Sequence, residues 1–360
     1  MSITEQITSA ILDFQDPYAK VTWRQMGVNV TVTPESNRYH IAIKLPYPAV
    51  GAHDVIARSL REHILAVGGA LPDSATIHLT HQIVKKRLPN ANLLPNIKHV
   101  IAVGSGKGGV GKSTTAVNLA FALQLDGARV GILDADIYGP SIPTLLGRKE
   151  AQPVSPDGKR IEPVMAHGLA SMSLGYLVDE GDAVIWRGPM ASGALQQLLN
   201  DTLWPELDYL VLDLPPGTGD VQLTMAQRIP VSGALVVTTP QDLAMIDARK
   251  AIRMFTKVNV PVLGVCENMA VYVCPSCGHR DHIFGDGGAD LLAKQHDVPV
   301  VGRLPLNGKI RALSDSGRSV LIEDPESDLS QPFREMARHL SARLAASGER
   351  AIPEIKIVED

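Results

Sequence analysis

Apolar and polar residues alternate in two different ways along the 360-residue chain, and the change falls near residue 98. Before it, ITEQITSAILDF and AHDVIARSLREHILAVGGAL repeat apolar residues at helical spacing. VNVTVTPESNRYHIAIKL gives two alternating runs around a PESN turn, which predicts a hairpin, and ATIHLTHQIV predicts a further strand. Residues 1–85 are therefore predicted to form a small α+β domain.

Six short, nearly continuous apolar runs follow, separated by longer segments with helical periodicity. They are HVIAVGS, ARVGILDA, YLVLDLP, ALVVTTP, VPVLGVCEN and PVVGRLPL. Strands that are apolar on both faces are typical of parallel sheets covered by helices on each side. Residues 98–345 are therefore predicted as an α/β domain with a doubly wound, mainly parallel sheet. Residues 86–97, which mix basic, Asn and Pro residues, are predicted as a linker, and residues 346–360 as a flexible tail.

Composition and charge exclude some classes of protein. The net charge of −4 gives no argument for nucleic acid or an acidic membrane as a partner. No stretch reaches the roughly 18 apolar residues of a membrane span, and the N-terminus lacks the basic region of a secretion signal. Three cysteines, two of them clustered, do not form a disulfide framework. We expect a cytoplasmic protein with no nucleic-acid or membrane partner.

The segment GSGKGGVGKSTT follows the first predicted strand of the larger domain and opens a helix. Within it, residues 106–113 fit the phosphate-loop pattern G-x-x-x-x-G-K-[ST]. Glycines let successive N–H groups converge on one anion, and the helix N-terminus adds positive potential. Lys112 is predicted to reach the β- and γ-phosphates of ATP, and Ser113 to ligate Mg²⁺. The predicted nucleotide-binding residues of this loop are Gly106, Gly108, Gly109, Val110, Gly111, Lys112, Ser113 and Thr114.

Two segments place aspartates at the ends of predicted strands, ILDADIYGPS and YLVLDLPPGTGD. Asp134 and Asp136 stand two residues apart, so on a strand they would face the same side. Asp213 occupies the position of a Walker B aspartate, and PPGTGD after it is a candidate switch loop that senses the γ-phosphate. For each aspartate alone, a helix N-cap is the alternative.

Lys107 is a second lysine inside the phosphate loop. The pattern K-G-G-x-G-K-[ST] resembles the deviant Walker A motif of the family that includes the nitrogenase iron protein and the Min-type division ATPases. The resemblance implies that Lys107 crosses a dimer interface and stabilises transition-state charge on the partner's phosphates. It implies that Asp136 positions or activates the attacking water and that Asp134 hydrogen-bonds to the Mg²⁺ shell. A solvated loop charge is the alternative for Lys107.

The segment GVCENM resembles the adenine-reading segment of the same family. The resemblance implies that Asn268 pairs with the purine edge, and that RLPL adds a contact through its backbone. A capping role is the alternative for Asn268.

Cys274 and Cys277 stand two residues apart in CPSCGHRDH, whereas a closed metal site needs four ligands. One alternative is a local zinc knuckle completed by His279 and His282, although the spacing of the histidines is tighter than usual. A second alternative is a zinc ion that bridges the two chains of a dimer, and a third is a redox-active cysteine pair of the thioredoxin kind. Cys266 lies in an apolar run and is predicted to be a core residue.

From about residue 98 to 340, the chain resembles the Mrp family of iron–sulfur cluster carrier ATPases. The resemblance is carried by five segments in this order: GKGGVGKST, LDADIYGPS, DLPPGTGD, ENM and CPSCGHR. The resemblance implies a homodimer in which two Cys274–Cys277 pairs hold one labile [4Fe–4S] cluster. It further implies slow, Mg²⁺-dependent ATP hydrolysis, iron–sulfur assembly proteins as partners, and apoproteins as acceptors. Zinc is possible in isolated protein.

The first domain resembles the small MIP18-type domain that precedes such ATPases. Residues 1–265 contain no cysteine, so we expect no thiolate from this domain to handle a cluster. A docking role for target proteins or a structural role remains.

Three other functions stay open. A Min- or Par-type positioning ATPase would share the phosphate loop, but it should carry a basic or amphipathic tail. The segment AIPEIKIVED is instead acidic, and CPSC would have no role. A regulator or reductase that uses a bridging cluster for electron transfer is the second, and a zinc-containing ATPase without cluster transfer is the third.

Overall fold

The structure is a computed structural model, and it describes residues 2–35, 38–67, 75–85, 93–178 and 188–347. Most of the predicted linker and nearly all of the predicted tail lie outside these residues. The helices are α1 (Ile3–Leu12), α2 (Trp23–Met26), α3 (His53–Ala66), α4 (Lys112–Leu125), α5 (Ile142–Leu145), α6 (Gly188–Asp201), α7 (Asp220–Arg228), α8 (Asp242–Lys257), α9 (Gly288–His296), α10 (Gly308–Asp315), α11 (Val320–Glu323) and α12 (Gln331–Ala346). The strands are β1 (Asn29–Glu35), β2 (Arg38–Leu45), β3 (Thr76–His81), β4 (Ile97–Gly104), β5 (Val130–Asp134), β6 (Val164–Ala166), β7 (Leu169–Ser173), β8 (Leu207–Asp213), β9 (Gly233–Thr238), β10 (Val262–Val273), β11 (Arg280–Asp281) and β12 (Val300–Leu306).

The first three strands form a separate sheet in which β1 and β2 are antiparallel and β3 lies parallel to β2. The predicted hairpin and the strand after it are thereby confirmed. Alternate residues of β2 face a core built with α1 and α3, because side chains on a strand point to opposite faces. The buried carboxylate of Asp16 fixes this core, since it accepts hydrogen bonds from Trp23 Nε1 (2.9 Å) and Tyr47 Oη (2.7 Å).

The larger sheet has nine strands within the described residues, in the order β11-β10-β9-β4-β8-β5-β7-β6, with β12 beside β10. All six predicted apolar runs are strands of this sheet, and their mutual pairings are parallel. Helices α4 and α12 cover one face, and α6, α7 and α8 cover the other. The prediction of a doubly wound α/β fold is confirmed. Strands β6, β7 and β11 were not predicted from the sequence.

Parallel order brings the candidate chemistry to one edge of the sheet. Asp134, the last residue of β5, is paired with Asp213, the last residue of β8, and Asp213 is also paired with Val103 of β4. The chain crosses from β4 through α4 to β5 on one side, whereas β9 lies on the other side of β4. Crevices of this kind, outside the carboxyl ends of strands, are where open α/β sheets bind ligands.

No helix among the described residues is long and apolar enough to cross a bilayer.

A buried ion pair joins the two cores at the far end of α4. Asp126 follows α4, is 1% exposed, and accepts hydrogen bonds from Arg338 Nε (2.7 Å) and Nη2 (3.0 Å) on α12. The same carboxylate accepts the backbone N–H of Gly51 in the first domain (3.0 Å). His339 of α12 also contacts the carbonyl oxygen of Tyr18 (3.0 Å). Helix α12 therefore packs against both the phosphate-loop helix and the N-terminal core.

Replacing Arg338 with alanine should leave the buried Asp126 carboxylate with the more distant Arg334 Nη2 (4.0 Å) as its cation. We expect the free energy of unfolding to fall by up to about 3–5 kcal/mol, the cost of removing one partner of a buried ion pair. Arg318→Ala removes a surface pair with Glu323 (3.4 Å) and should cost no more than about 1 kcal/mol. Urea unfolding measures both variants, and equal losses would contradict this assignment.

Candidate nucleotide site and cysteine hairpin

The phosphate loop is shaped by glycines and ends in an uncapped helix. Gly109 (φ 79°) and Gly111 (φ 78°) occupy the left-handed region, which side chains other than glycine rarely adopt. Gly111 is also the N-cap of α4, and no side chain caps the helix there. The first N–H groups of α4 are therefore left for another acceptor, such as a phosphate.

Gly106 is required by a close approach of α8 rather than by its backbone dihedral angles. A Cβ atom at this position would overlap the backbone carbonyl of Asp247. At Gly111, a Cβ atom would overlap the amide nitrogen of Asn268. The loop is therefore held between α8 on one side and β10 on the other.

Lys112 is buried in an ion pair with Asp213. The lysine is 6% exposed, and its Nζ lies 2.6 Å from Asp213 Oδ1 and 3.2 Å from Ser113 Oγ. Burial raises the pKa of Asp213 even though the lysine opposes the shift. The second oxygen, Oδ2, is buried and has no hydrogen-bond partner. An orphaned buried carboxylate oxygen is costly, so this site has an acceptor available for a cation or its water shell.

Asp134 lies beside this pair and is held by its own donors. Its carboxylate accepts the backbone N–H groups of Ser141 (2.9 Å) and Ile142 (3.0 Å) and the hydroxyl of Ser173 (3.1 Å). Burial, followed by the neighbouring Asp213, raises the pKa of Asp134 to about 7. Carboxylate and hydroxyl oxygens are the ligands Mg²⁺ prefers, so Asp213 and Ser113 fit a Mg²⁺ site. Asp134 adjoins that site, but its oxygens already accept four hydrogen bonds.

The expectation that Asp134 and Asp136 share one face of a strand is wrong. Strand β5 ends at Asp134, and Asp136 lies in the loop after it. The backbone N–H of Asp136 instead donates to Asp134 Oδ1 (3.1 Å), so the chain turns between the two residues. Burial raises the pKa of Asp136, although its side chain is only half-buried. Asp136 lies near the buried charges without being part of them.

Ser173 is a site residue that sequence reasoning missed. It ends β7 and donates to Asp134, so it helps to fix that carboxylate. The segment LASMS mixes small and polar residues, so it lacks the continuous apolar run that identified the other parallel strands. The available signal was the alternation of apolar and polar residues within this five-residue segment.

Lys107 lies on the open side of the loop. Its Nζ is 3.5 Å from Gln241 Oε1, just before α8. Leu243 and Ile246, in the first turns of α8, are 70% and 47% exposed. Lys107 thus contacts the residue that precedes α8, a helix whose first turns expose two apolar side chains.

Asn268 contacts the phosphate loop in this structure. Its Nδ2 donates to the carbonyl oxygen of Val110 (2.9 Å), and its Oδ1 accepts the N–H of Met269 (2.9 Å). The predicted contact with adenine would use the same amide group, which has a second N–H on Nδ2 and a second lone pair on Oδ1. RLPL forms most of β12 next to β10, with Leu304 fully buried and Arg303 within 3.4 Å of Glu267.

The cysteine pair lies on a short hairpin at the end of β10. Strands β10 and β11 pair antiparallel, and the N–H of Cys274 donates to the carbonyl oxygen of His279 (2.9 Å). Cys274 is half-buried and Cys277 is exposed. Hydrogen bonds from the N–H groups of Ser276 and then Cys277 lower the pKa of Cys274, because they stabilise the thiolate. The turn therefore favours the ionised form of the Cys274 thiol.

One chain does not complete a metal site in the part of the chain that the structure describes. No group of three or more His, Cys, Asp or Glu residues is arranged there to hold a metal ion. His282, proposed as a ligand of a local zinc knuckle, contacts the carbonyl oxygen of Ala270 through Nδ1 (2.9 Å). The local knuckle is therefore not formed. Cys266 is fully buried, as predicted, and burial raises the pKa of its thiol.

Comparison with known proteins agrees with this combination of a phosphate loop and a cysteine turn. A model of the ParA family, described as NUBPL iron-transfer P-loop NTPase, matches residues 96–341, more than half of the chain. The chain belongs to this family. The predicted resemblance to iron–sulfur carrier ATPases is thereby confirmed.

Two relatives have informative names. The iron-sulfur cluster carrier protein of Escherichia coli K12 is 48% identical over 349 residues, which cover 97% of this chain and 94% of that protein. The iron-sulfur cluster transfer protein NUBPL of Mus musculus is 48% identical over 270 residues, or 74% of this chain and 84% of that protein. The first match spans both predicted domains of this family member.

Solved structures show the same fold. A nucleotide-binding protein from Archaeoglobus fulgidus in complex with ADP has a TM-score of 0.59 and 39% identity, and it covers 69% of this chain and 98% of its own. The septum site-determining protein MinD of Pyrococcus horikoshii with Mg-ADP has a TM-score of 0.50 and 20% identity, covering 66% and 94%. The second likeness concerns the fold alone.

Gly106→Ala should destabilise the protein because the new methyl group meets backbone that cannot move away. We expect a loss of about 1–3 kcal/mol, as for other overpacked positions. Gly108→Ala is the matched control, since its Cβ atom would meet only Pro216 Cγ at 4.0 Å. Urea unfolding of both variants tests the contact with α8, and an undisturbed Gly106→Ala protein would show that α8 does not restrict this position.

Proposed function

We propose that this family member is an ATP-dependent carrier that binds a labile [4Fe–4S] cluster between two chains and delivers it to apoproteins. The observation that carries the proposal is the hairpin turn with two accessible thiols and no third ligand in the described part of the chain. Two copies would bring four thiolates together, which is the ligand set of such a cluster. The names of the related carrier and transfer proteins support this role.

The phosphate loop would bind ATP through backbone N–H groups. The contributing residues are Gly106, Gly108, Gly109, Val110, Gly111, Lys112, Ser113 and Thr114. We expect the Lys112 ammonium group to move from Asp213 to the β- and γ-phosphates, which offer more negative charge. Ser113 and Asp213 would hold Mg²⁺, Asp134 would adjoin its water shell, and the ion would neutralise charge on the phosphates.

Hydrolysis needs one water in line with the γ-phosphorus, and it releases ADP and phosphate. Asp136 is our candidate for orienting that water, because it is half-buried and adjacent to Asp134, which adjoins the Mg²⁺ site. No covalent intermediate with the protein is required, since positioning and charge stabilisation supply the catalysis. Asn268 and the backbone of Arg303–Leu306 are our candidates for the adenine contacts.

A homodimer would complete the charge clamp. Lys107 contacts Gln241, which directly precedes α8, and Leu243 and Ile246 in the first turns of that helix have exposed apolar side chains. A second chain placed there would cover these residues and bring each Lys107 towards the partner's nucleotide. The same contact would have to bring the two cysteine turns together.

Anaerobic reconstitution with iron and sulfide tests the cluster. We expect four irons and four sulfides per two chains, and loss of both in Cys274→Ala and Cys277→Ala, because each chain then offers one thiolate. Cys266→Ala is the matched control and should retain the cluster, since that thiol is buried in the core. Equal iron in all variants would overturn the proposal, and zinc without sulfide would favour a bridged zinc ATPase.

Lys107→Ala should lower ATP hydrolysis by about 10³-fold or more, as for a missing arginine finger, while nucleotide binding persists. Binding survives because Lys112 and the loop N–H groups are intact. Lys159→Ala, at an exposed lysine with no part in the proposed site, is the control. Phosphate release and nucleotide titration are measured together, and unchanged hydrolysis in Lys107→Ala would contradict the trans-acting role.

A further inference from the structure

A single strand connects the phosphate loop to the cysteine turn. Strand β10 spans Val262–Val273, and Cys274 follows it directly. Its first half is buried between β9 and β12, and its last two residues form the hairpin with β11. Asn268 lies between these two parts, six positions before Cys274.

The strand changes character at Asn268. Pairing with β9 ends at Glu267, and pairing with β12 is irregular between Glu267 and Val271. Met269 has φ of 56°, a left-handed conformation that is uncommon for a residue other than glycine. Irregularities of this kind bend a strand and re-aim the residues beyond the bend, and such strain is concentrated at functional sites. Beyond the bend, the outer half of β10 keeps β12 as its neighbour on that side of the sheet and pairs with it again at Val271 and Tyr272.

The Asn268 side chain ties this bend to the phosphate loop. Its Oδ1 holds the N–H of Met269, and its Nδ2 holds the carbonyl oxygen of Val110, both at 2.9 Å. The absent side chain of Gly111 makes room for the amide. One amide group therefore links the strained residue of β10 to the loop that surrounds the phosphates.

Hydrogen bonds make the outer half of β10 one unit with the thiols. His282 Nδ1 contacts the carbonyl oxygen of Ala270 (2.9 Å), which ties the returning strand to the residue after Met269. Across the turn, the N–H of Cys274 donates to His279, and the N–H of Gly278 donates to Cys274 (2.9 Å each). A change at the bend would therefore move both cysteines together.

From this geometry we infer that Asn268 is a positioning residue that reports nucleotide occupancy to the thiols of Cys274 and Cys277. The inference rests on the proposed function, in which the Asn268 amide contacts adenine. Nδ2 has two N–H bonds, but pairing with a purine edge uses Oδ1 and Nδ2 together. In the proposal, the base turns the amide out of the plane in which Oδ1 accepts from Met269 and Nδ2 donates to Val110. The bond to the loop is then released, the bend relaxes, and the cysteine turn changes its geometry. Coupling of this kind acts in both directions. If bound nucleotide changes the affinity of the thiols for metal by a given factor, bound metal changes the affinity for nucleotide by that factor.

The test measures how fast iodoacetamide alkylates Cys274 and Cys277 in the full-length, metal-free chain. In the wild-type chain we expect saturating ADP to change the alkylation rate of the two cysteines, because a moved turn alters how accessible the thiols are. Asn268→Ala should react without ADP at the rate that the wild-type chain shows with ADP, and ADP should cause no further change. A merely structural asparagine would not make the free variant resemble the bound wild type.

Two controls isolate the amide. Asn268→Asp keeps an acceptor for Met269 but loses the donor to Val110, so it should behave as Asn268→Ala does. Asn307→Ala removes a similar side-chain bond to backbone, at the start of α10, and should keep the wild-type response. Inorganic tripolyphosphate can occupy the loop without offering a base, so it should leave the wild-type rate unchanged.

Four results would overturn the inference: a wild-type rate that ignores ADP, a full response in Asn268→Asp, a full response to tripolyphosphate, or a rate change that follows association in light scattering. These results are separate from the cluster measurement. A chain that assembles the cluster but fails here keeps the proposed function and loses the coupling. A chain that shows the expected response to ADP but assembles no cluster keeps the coupling and loses the proposed function.

Discussion

The buried pair of Lys112 and Asp213 is the interaction around which the nucleotide site is arranged. Burying an ammonium group and a carboxylate costs free energy that their mutual attraction only partly returns, so such a pair is a poor source of stability. Here the pair also leaves one carboxylate oxygen without a partner. A phosphate for the lysine and a cation for the carboxylates would satisfy both groups. The free site is therefore costly in a way that a nucleotide and its metal would relieve.

The cysteine turn is incomplete in a different sense. Its hydrogen bonds favour the thiolate of Cys274, yet one chain brings no further ligand to it within the described residues. An accessible turn with few supporting contacts is poorly suited to permanent storage of a metal group, because partners can approach it and compete for the ligands. It is well suited to loading and release. Strand β10 contacts the phosphate loop through Asn268 and leads directly into the cysteine turn, so one strand joins the two incomplete sites.

Sequence reasoning succeeded where burial imposes a simple pattern. Strands covered on both faces must be apolar throughout, so the six continuous apolar runs were recognisable, and the glycine spacing identified the loop between β4 and α4. It failed where the end of an element decides the geometry, as at Asp136, because β5 ends at Asp134 and the alternation of a strand no longer fixes the side chains beyond it. It also missed the contact between Asn268 and Val110, which are 158 positions apart. Local pattern contains no information about such a pairing.

The N-terminal domain contributes no cysteine, but its attachment gives it a physical route to the site. Helix α4 begins at the phosphate loop and extends 14 residues, about 21 Å, before Asp126. A carboxylate at a helix C-terminus is unfavourable with the helix dipole, and the Arg338 guanidinium offsets it. Because Gly51 donates to the same carboxylate, the first domain contacts the far end of the helix whose near end faces the phosphates. Any shift of α4 along its axis must therefore strain this contact or move the first domain with it.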